Sequence, residues 1–428
     1  MTIDKPGLLE RRKQLLGSAY RLFYDNPVHI VRGEGVWLYD ADGNKYLDMY
    51  NNVPHVGHCH PRVVEALTKQ IAILNTHTRY LHENILDYAE RLTGKFEDEL
   101  NLAMFCCTGS EANELAMRIA RRATGGTGFI ATSFAYHGNT MATFEITTSD
   151  IPADERPDYV ATVPVPCTYR GPYTGPDAGE RYAAHVHEAL ATLEHRGIKP
   201  AAFIIDTIAS SGAVITPPPG YLSAVAKIIH DAGGLFIADE VQPGFARTGR
   251  NFWGYQADGF VPDIVTMGKP MGNGHPLAGI VTRSDIVEEF AAKGHYFNTF
   301  GGNPVSCAAG LAVLDTLEQE NLQQNAHDVG QYLVNGLRTL AERHEAIGDV
   351  RGSGFFLGLE LVEDREYKTP ATSLTRNVVN DLRERGLLTG SIGPFDNVIK
   401  LRCPMVFSRE NADTALGIID ETLTACRP

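Results

Sequence analysis

The sequence contains no uninterrupted apolar stretch approaching the roughly eighteen residues that a membrane-spanning helix needs. Its first residues, MTIDKPGLLERRKQ, hold no apolar core of a secretory leader, so neither an anchor nor export is expected. Cysteine is sparse: seven in 428 residues, at 59, 106, 107, 167, 307, 403 and 426. The number is odd, two are adjacent and none makes a Cys-x-x-Cys pair. That pattern argues against a disulfide framework or a zinc site and for a reduced, cytoplasmic setting. Basic residues are outnumbered, 38 Lys and Arg against 52 Asp and Glu, for a net charge of −14. Nucleic acid and anionic membrane are therefore poor candidates for the main partner, although a local basic pocket remains compatible. His55, His58 and His60 lie close together, but no acidic or cysteine ligand accompanies them at a zinc spacing, and no metal is expected. Repeats, low-complexity tracts and flexible linkers are also missing.

What is present is an ordinary globular composition, 43% hydrophobic and 21% charged, with a length suited to two or three domains. The stretch from Gly233 to Gly274 carries the chemistry. Leu235–Ala238 is a short apolar run that reads as a buried parallel strand ending in Asp239 and Glu240. A second run, Ile264–Met267, ends in Gly268-Lys269-Pro270. In open α/β sheets ligands collect at the carboxyl ends of strands. Taken singly, the acid reads equally as a helix cap and the lysine as a solvated loop residue. Together they supply what pyridoxal 5′-phosphate requires: an amine for its aldehyde and a carboxylate for its ring nitrogen.

The rest of the chain alternates. Two short strands joined by a turn at Ala41–Asn44 are expected within Gly33–Asp48. From about residue 60, helices are expected at Arg62–Asn75 and His82–Phe96. Strands are expected at Leu102–Cys106, Gly128–Thr132, Tyr159–Val163, Ala202–Ile205, Leu235–Ala238 and Ile264–Met267. This predicts an α/β fold whose central sheet is mainly parallel and covered by helices on both faces. A long helical stretch, Val305–Arg343, leads into a smaller α+β layer with strands at Gly354–Leu361 and Val398–Leu401. Cys107-Thr108-Gly109-Ser110-Glu111 is a small-residue turn opening a helix, which reads either as a phosphate site or as an N-cap at Ser110. Tyr136, beside His137, offers an aromatic face at a strand end.

The order TGSEANE, Tyr-His-Gly, ADEVQPGFARTG, a strand ending in Gly-Lys, then NTFGGNP closely resembles the class III (omega-type) PLP-dependent aminotransferases of fold type I. The resemblance covers nearly the whole chain. It implies a large cofactor domain (61–325) and a small domain built from both chain ends (1–60 and 326–428). It also implies a homodimer, or a tetramer made from it, with shared active sites. On it, Lys269 is the Schiff-base lysine and Asp239 the partner of the ring nitrogen. Gln242 bonds the ring's phenolic oxygen, Val241 packs behind the ring, and Tyr136 stacks in front with His137 adjoining. Gly109 and Ser110 hold the phosphate, helped by Thr299 from the neighbouring subunit.

The departures are informative too. After the strand ending at Ile205, ordinary members read Glu-Pro-Val/Ile-Gln-Gly-Glu/Asn-Gly, whereas this chain reads Asp206-Thr207-Ile208-Ala209-Ser210-Ser211-Gly212. Several members use the second acid to gate an arginine that binds substrate carboxylates; the matching positions here are Ser211 and Lys400. The polar loops Tyr50–Pro61 and Asn75–Asn84, with TYRGPY, GNGHP and YFNTFGG, resemble the family's phospho-lyase branch, which acts on phosphoethanolamine or 5-phosphohydroxylysine. A β-elimination of phosphate is expected, with an omega-transaminase as the alternative and a non-catalytic PLP-fold protein as a third reading. Arg79, with His55 and Asn52 ahead of Arg402, is the expected set for the substrate phosphate.

Overall fold

The computed structural model describes residues 5–292 and 294–426. Near the N-terminus, β1 (Ile30–Glu34), β2 (Trp37–Asp40) and β3 (Lys45–Asp48) form an antiparallel meander. This is one strand more than the sequence reading. The β2–β3 turn is fixed by Asp40, whose Oδ1 accepts from the amides of Asp42 and Asn44 at 3.0 and 2.8 Å. A fourth strand reaches this sheet from the far end of the chain: β13 (Leu387–Leu388) lies parallel to β3, with Leu387 opposite Leu47.

The central sheet has seven strands, β4 (Leu102–Cys106), β5 (Gly128–Thr132), β6 (Val160–Val163), β7 (Pro200–Asp206), β8 (Leu235–Asp239), β9 (Ile264–Met267) and β10 (Ala278–Thr282). Their spatial order is β4-β10-β9-β8-β7-β5-β6. All six expected strands are present. β10 is new, and it runs antiparallel to both β4 and β9. Its five residues follow directly on the turn Gly272–Pro276, and that turn chemistry hid the short apolar run Ala278–Thr282. β5, β9 and β10 are buried at every position, as strands covered on both faces must be.

A third sheet, order β11-β12-β15-β14, is antiparallel throughout and comprises β11 (Ile347–Ser353), β12 (Phe356–Leu361), β14 (Gly390–Ile392) and β15 (Val398–Leu401). The long stretch expected as one helix is two, Pro304–Gln319 and Leu322–Arg343, interrupted where Asn321 takes a left-handed conformation, φ 50°. The first of these helices is buried along most of its length and packs on the helices Pro61–Ile71 and Glu83–Thr93. Gly310 permits the approach, since a Cβ there would lie 2.5 Å from the Tyr88 ring.

Candidate active site

The strand ends converge on one cavity. Asp206 closes β7 and Asp239 closes β8, directly opposite each other in the parallel register, and Lys269 follows β9 by two residues. A cavity of about 280 Å³ opens there, lined among others by Gly109, Ser110, Tyr136, His137, Asp239, Val241, Gln242 and Lys269. The two adjacent acids part company at this point. Asp239 faces the cavity, whereas Glu240 turns into the protein and accepts from the amides of Gly254 and Tyr255 and from the Thr207 hydroxyl at 2.7–2.9 Å. Burial pushes the Glu240 carboxyl up to about 7.

Three donors hold Asp239. Oδ2 accepts from Asn113 Nδ2 and from His137 Nδ1, both at 2.8 Å, and Oδ1 accepts from the Val241 amide at 3.1 Å. His137 thus reaches the cavity through Asp239, and its buried Nε2 has no partner among the described residues. Asn113 was not singled out from the sequence. It sits one helical turn beyond Gly109 within the quoted TGSEANE, facing the sheet. It also donates to the His137 carbonyl at 2.7 Å and accepts from Thr266 at 2.6 Å. That i, i+4 spacing was the available signal.

At the other end of the cavity the helix Gly109–Thr124 begins. Its cap is Thr108, not Ser110. The Thr108 hydroxyl accepts from the Glu111 amide at 3.2 Å, and Glu111 returns a bond to the Thr108 amide at 2.8 Å. The amides of Gly109 and Ser110 are left without an acceptor among the described residues, at the positive end of a helix dipole. Ser110 Oγ is shared with Asn139, donating to its Oδ1 at 3.0 Å and accepting from its amide at 3.1 Å. A Cβ at Gly109 would stand 3.0 and 3.1 Å from the Val241 methyls, so glycine brings the helix start down onto the cavity floor.

Lys269 is largely buried, and no described residue forms a hydrogen bond or ion pair with its amine. Burial, then the nearby Arg402, push it below the ordinary lysine range, with Asp239 and Asp206 opposing. A neutral amine is the nucleophilic form. These features fit pyridoxal phosphate: free amides and a hydroxyl for the phosphate, a carboxylate at the opposite end for the ring nitrogen, Val241 beneath, half-exposed Tyr136 above, and an unpaired amine.

The substrate residues divide. Asn52 and Arg402 reach the cavity wall, where both donate to Gln242 Oε1, Asn52 at 3.4 Å. Gln242 Nε2 donates to Ser210 Oγ, and Ser210 in turn donates to Asp206. His55 does not reach the cavity: Nε2 bonds the Phe245 carbonyl at 2.7 Å and Nδ1 accepts from buried Arg247 at 2.8 Å. Arg79 is exposed, its guanidinium 3.9 Å above the Phe297 ring and outside this chain's own cavity, and Thr299 lies exposed on the same surface segment. Of the four residues expected for the substrate phosphate, Asn52 and Arg402 thus bond the cavity-lining Gln242 within one chain, and His55 and Arg79 do not. His58 and His60 pair separately with Asp48 and Glu320 at 2.7 and 3.1 Å. Among the described residues, no group of three or more His, Cys, Asp or Glu is placed to hold a metal. None of their helices is long and apolar enough to cross a membrane.

Comparison with known proteins agrees with this geometry. The family model "Aminotransferase class-III" matches residues 22–423. An alanine–glyoxylate aminotransferase 2-like protein of Drosophila melanogaster is 44% identical over 434 residues, 99% of this chain and 88% of that protein. An ethanolamine-phosphate phospho-lyase homolog 1 of Caenorhabditis elegans is 39% identical over 439 residues, covering 98% and 94%. Among solved structures, a phospholyase from Arthrobacter in complex with phosphoethanolamine superposes with a TM-score of 0.94. It is 44% identical, with 98% of this chain and 100% of that one covered.

Proposed function

Because this chain belongs to the class III aminotransferase family, whose cofactor is pyridoxal phosphate, we propose that it is a phospho-lyase that eliminates phosphate from a phosphorylated primary amine such as phosphoethanolamine. The observation that carries this reading is the segment Asp206–Gly212. Where several members of the family place an acid to gate a carboxylate-binding arginine, this chain has Ser211, and the neighbouring Ser210 is committed to Asp206 and Gln242. The likeness to the Arthrobacter phospholyase supports it further.

When bound, the cofactor supplies an electron sink conjugated to the substrate nitrogen. Lys269 Nζ takes the proton from the carbon bearing that nitrogen. Asp239, held in place by Asn113, His137 and the Val241 amide, keeps a proton at the ring nitrogen. Gln242 would bond the ring's phenolic oxygen, and Val241 would pack behind the ring. The C–O bond on the adjacent carbon then breaks, and phosphate leaves with its electron pair. The released enamine takes up one water, so phosphoethanolamine yields acetaldehyde, ammonia and phosphate. A transaminase performs the same proton removal and returns the proton elsewhere, so the leaving group separates the two outcomes.

The active form is a homodimer or a multiple of it. Leu81 is 99% exposed, and Ile71, Ile73, Tyr80 and Phe300 are exposed with it, a surface that water penalises. Thr299 and Arg79 lie on that surface and would serve the neighbour's cavity. The scattered free cysteines suit a reduced compartment such as the cytoplasm. The test is incubation with phosphoethanolamine in the absence of any keto acid. Stoichiometric phosphate and acetaldehyde are expected. No phosphate release, together with amine transfer once a keto acid is added, would make the protein an omega-transaminase.

A further inference from the structure

The segment after β7, residues 206–214, is bent out of ordinary backbone geometry. Ala209, Ala213 and Val214 take positive φ values of 35°, 95° and 58°, and for β-branched Val214 that is a marked outlier. Such strain persists only where the surroundings hold it, and it gathers at working sites. Both ends of this segment are held. At its start the Asp206 carboxylate accepts from the Ile208 and Ser210 amides at 3.2 and 3.1 Å. At its end the Arg351 guanidinium, from β11, donates to the Ala213 carbonyl at 2.7 and 3.0 Å and to the Val214 carbonyl at 3.2 Å. Between the two clamps lies Ser210, fully buried, its hydroxyl set between Asp206 and the cavity-lining Gln242.

The proton of that hydroxyl goes to Asp206, so the Ser210 oxygen meets Gln242 only as an acceptor. The other end of the same amide is fixed too, because Oε1 accepts from Arg402 and from Asn52. A reversed amide would set donor against donor at Arg402 and acceptor against acceptor at Ser210. A primary amide carries two N–H bonds, and Ser210 takes one of them. Resting on the reading that Gln242 bonds the cofactor's phenolic oxygen, we propose that Ser210, held by Asp206, is a positioning residue for Gln242. It ties down the amide nitrogen, so that a single N–H in a fixed orientation is left for the cofactor. Arg402 decides which end of the amide is which, and Ser210 stops the nitrogen end from swinging. A donor fixed before the cofactor arrives needs no ordering on binding. The strained backbone of residues 209–214 serves to bring the hydroxyl to that place.

The experiment is a double-mutant cycle read as the apparent dissociation constant of pyridoxal phosphate, from absorbance titration of the full-length apoprotein. Ser210→Ala should weaken the cofactor about three- to tenfold, the range for loss of one neutral hydrogen bond, and Gln242→Ala at least as much. A residue that acts through Gln242 has nothing left to position once that side chain is gone. Ser210→Ala in the Gln242→Ala background should therefore weaken the cofactor less than about twofold further. Losses that multiply in the double variant overturn the proposal and make Ser210 a packing residue. Wild-type affinity in Ser210→Ala overturns it as well. Should Ser210→Ala fail to fold, Ser210→Gly removes the same oxygen and takes its place in the cycle. The underlying reading fails by a different sign. If Gln242→Ala leaves cofactor affinity at the wild-type value, the contact with the phenolic oxygen falls, and the positioning role falls with it. The lyase activity stands or falls apart from both, since the cycle is read without substrate.

Discussion

The cofactor wall of the cavity comes from short runs of sequence, while the wall assembled on Gln242 comes from segments far apart in the chain. Gly109, Ser110 and Asn113 share one helix, and Asp239, Val241 and Gln242 share one strand end. Asn52, Ser210 and Arg402, by contrast, meet only because three regions of the chain fold onto Gln242. On the proposed reading the local wall carries the cofactor chemistry. A change in any of the three segments of the assembled wall alters it without disturbing the local one.

If that division is real, damage to the local wall should cost far more than damage to the assembled one. The largest loss is expected for Lys269→Ala, about a thousandfold or more in turnover, as for removal of a proton-transfer group. In that variant borohydride should no longer fix the cofactor to the protein, as read by mass spectrometry; full activity would dissolve the contrast. Asp239→Asn keeps the shape while removing the charge opposite the ring nitrogen. Turnover should fall about 100- to 1000-fold, in the range lost with a preorganised electrostatic partner, with cofactor affinity reduced and the fold intact by circular dichroism. Asn113→Ala removes one of the donors that hold Asp239, and it should cost about ten- to a hundredfold through the loosened carboxylate. An effect on melting temperature alone, with kinetics unchanged, would make Asn113 a packing residue.

The smallest expected effect links the two walls. Arg402 helps depress the Lys269 amine, so the pH at which the apoprotein captures cofactor at half its maximal rate should lie below the ordinary lysine range. Capture speeds up as pH rises and the amine loses its proton. In Arg402→Gln one neighbouring cation is gone, the amine holds its proton to higher pH, and the midpoint should move upward. Stopped-flow absorbance across a pH series measures it, and an unmoved midpoint would mean that the walls are electrostatically independent.

The same division decided what the sequence revealed. Apolar runs bounded by glycine and proline exposed six of the seven central strands, and Asp239 and Lys269 stood at strand ends where chemistry collects. β10 stayed hidden because its five residues adjoin a turn rich in glycine and proline. Asn321 gave no warning that it would break a helix, since its left-handed backbone shows only in three dimensions. His55 read as a pocket residue because a histidine in a polar loop carries no mark of its partner. That partner, Arg247, lies 192 residues away. Arg402 was ranked low for the converse reason: nothing near it in sequence indicates Gln242, 160 residues earlier.

The pairing of β3 with β13 sets a clock on the birth of the molecule. Leu47 meets Leu387 only after a further 340 residues (387 − 47) have been made. At a synthesis rate of about 5–20 residues per second, the outer edge of the N-terminal meander waits roughly 17–68 s for its neighbour. During that interval its unpaired amides and carbonyls are open to any strand that passes. A nascent chain stalled before residue 387 would therefore present a sticky edge although every strand of the central sheet has already been made.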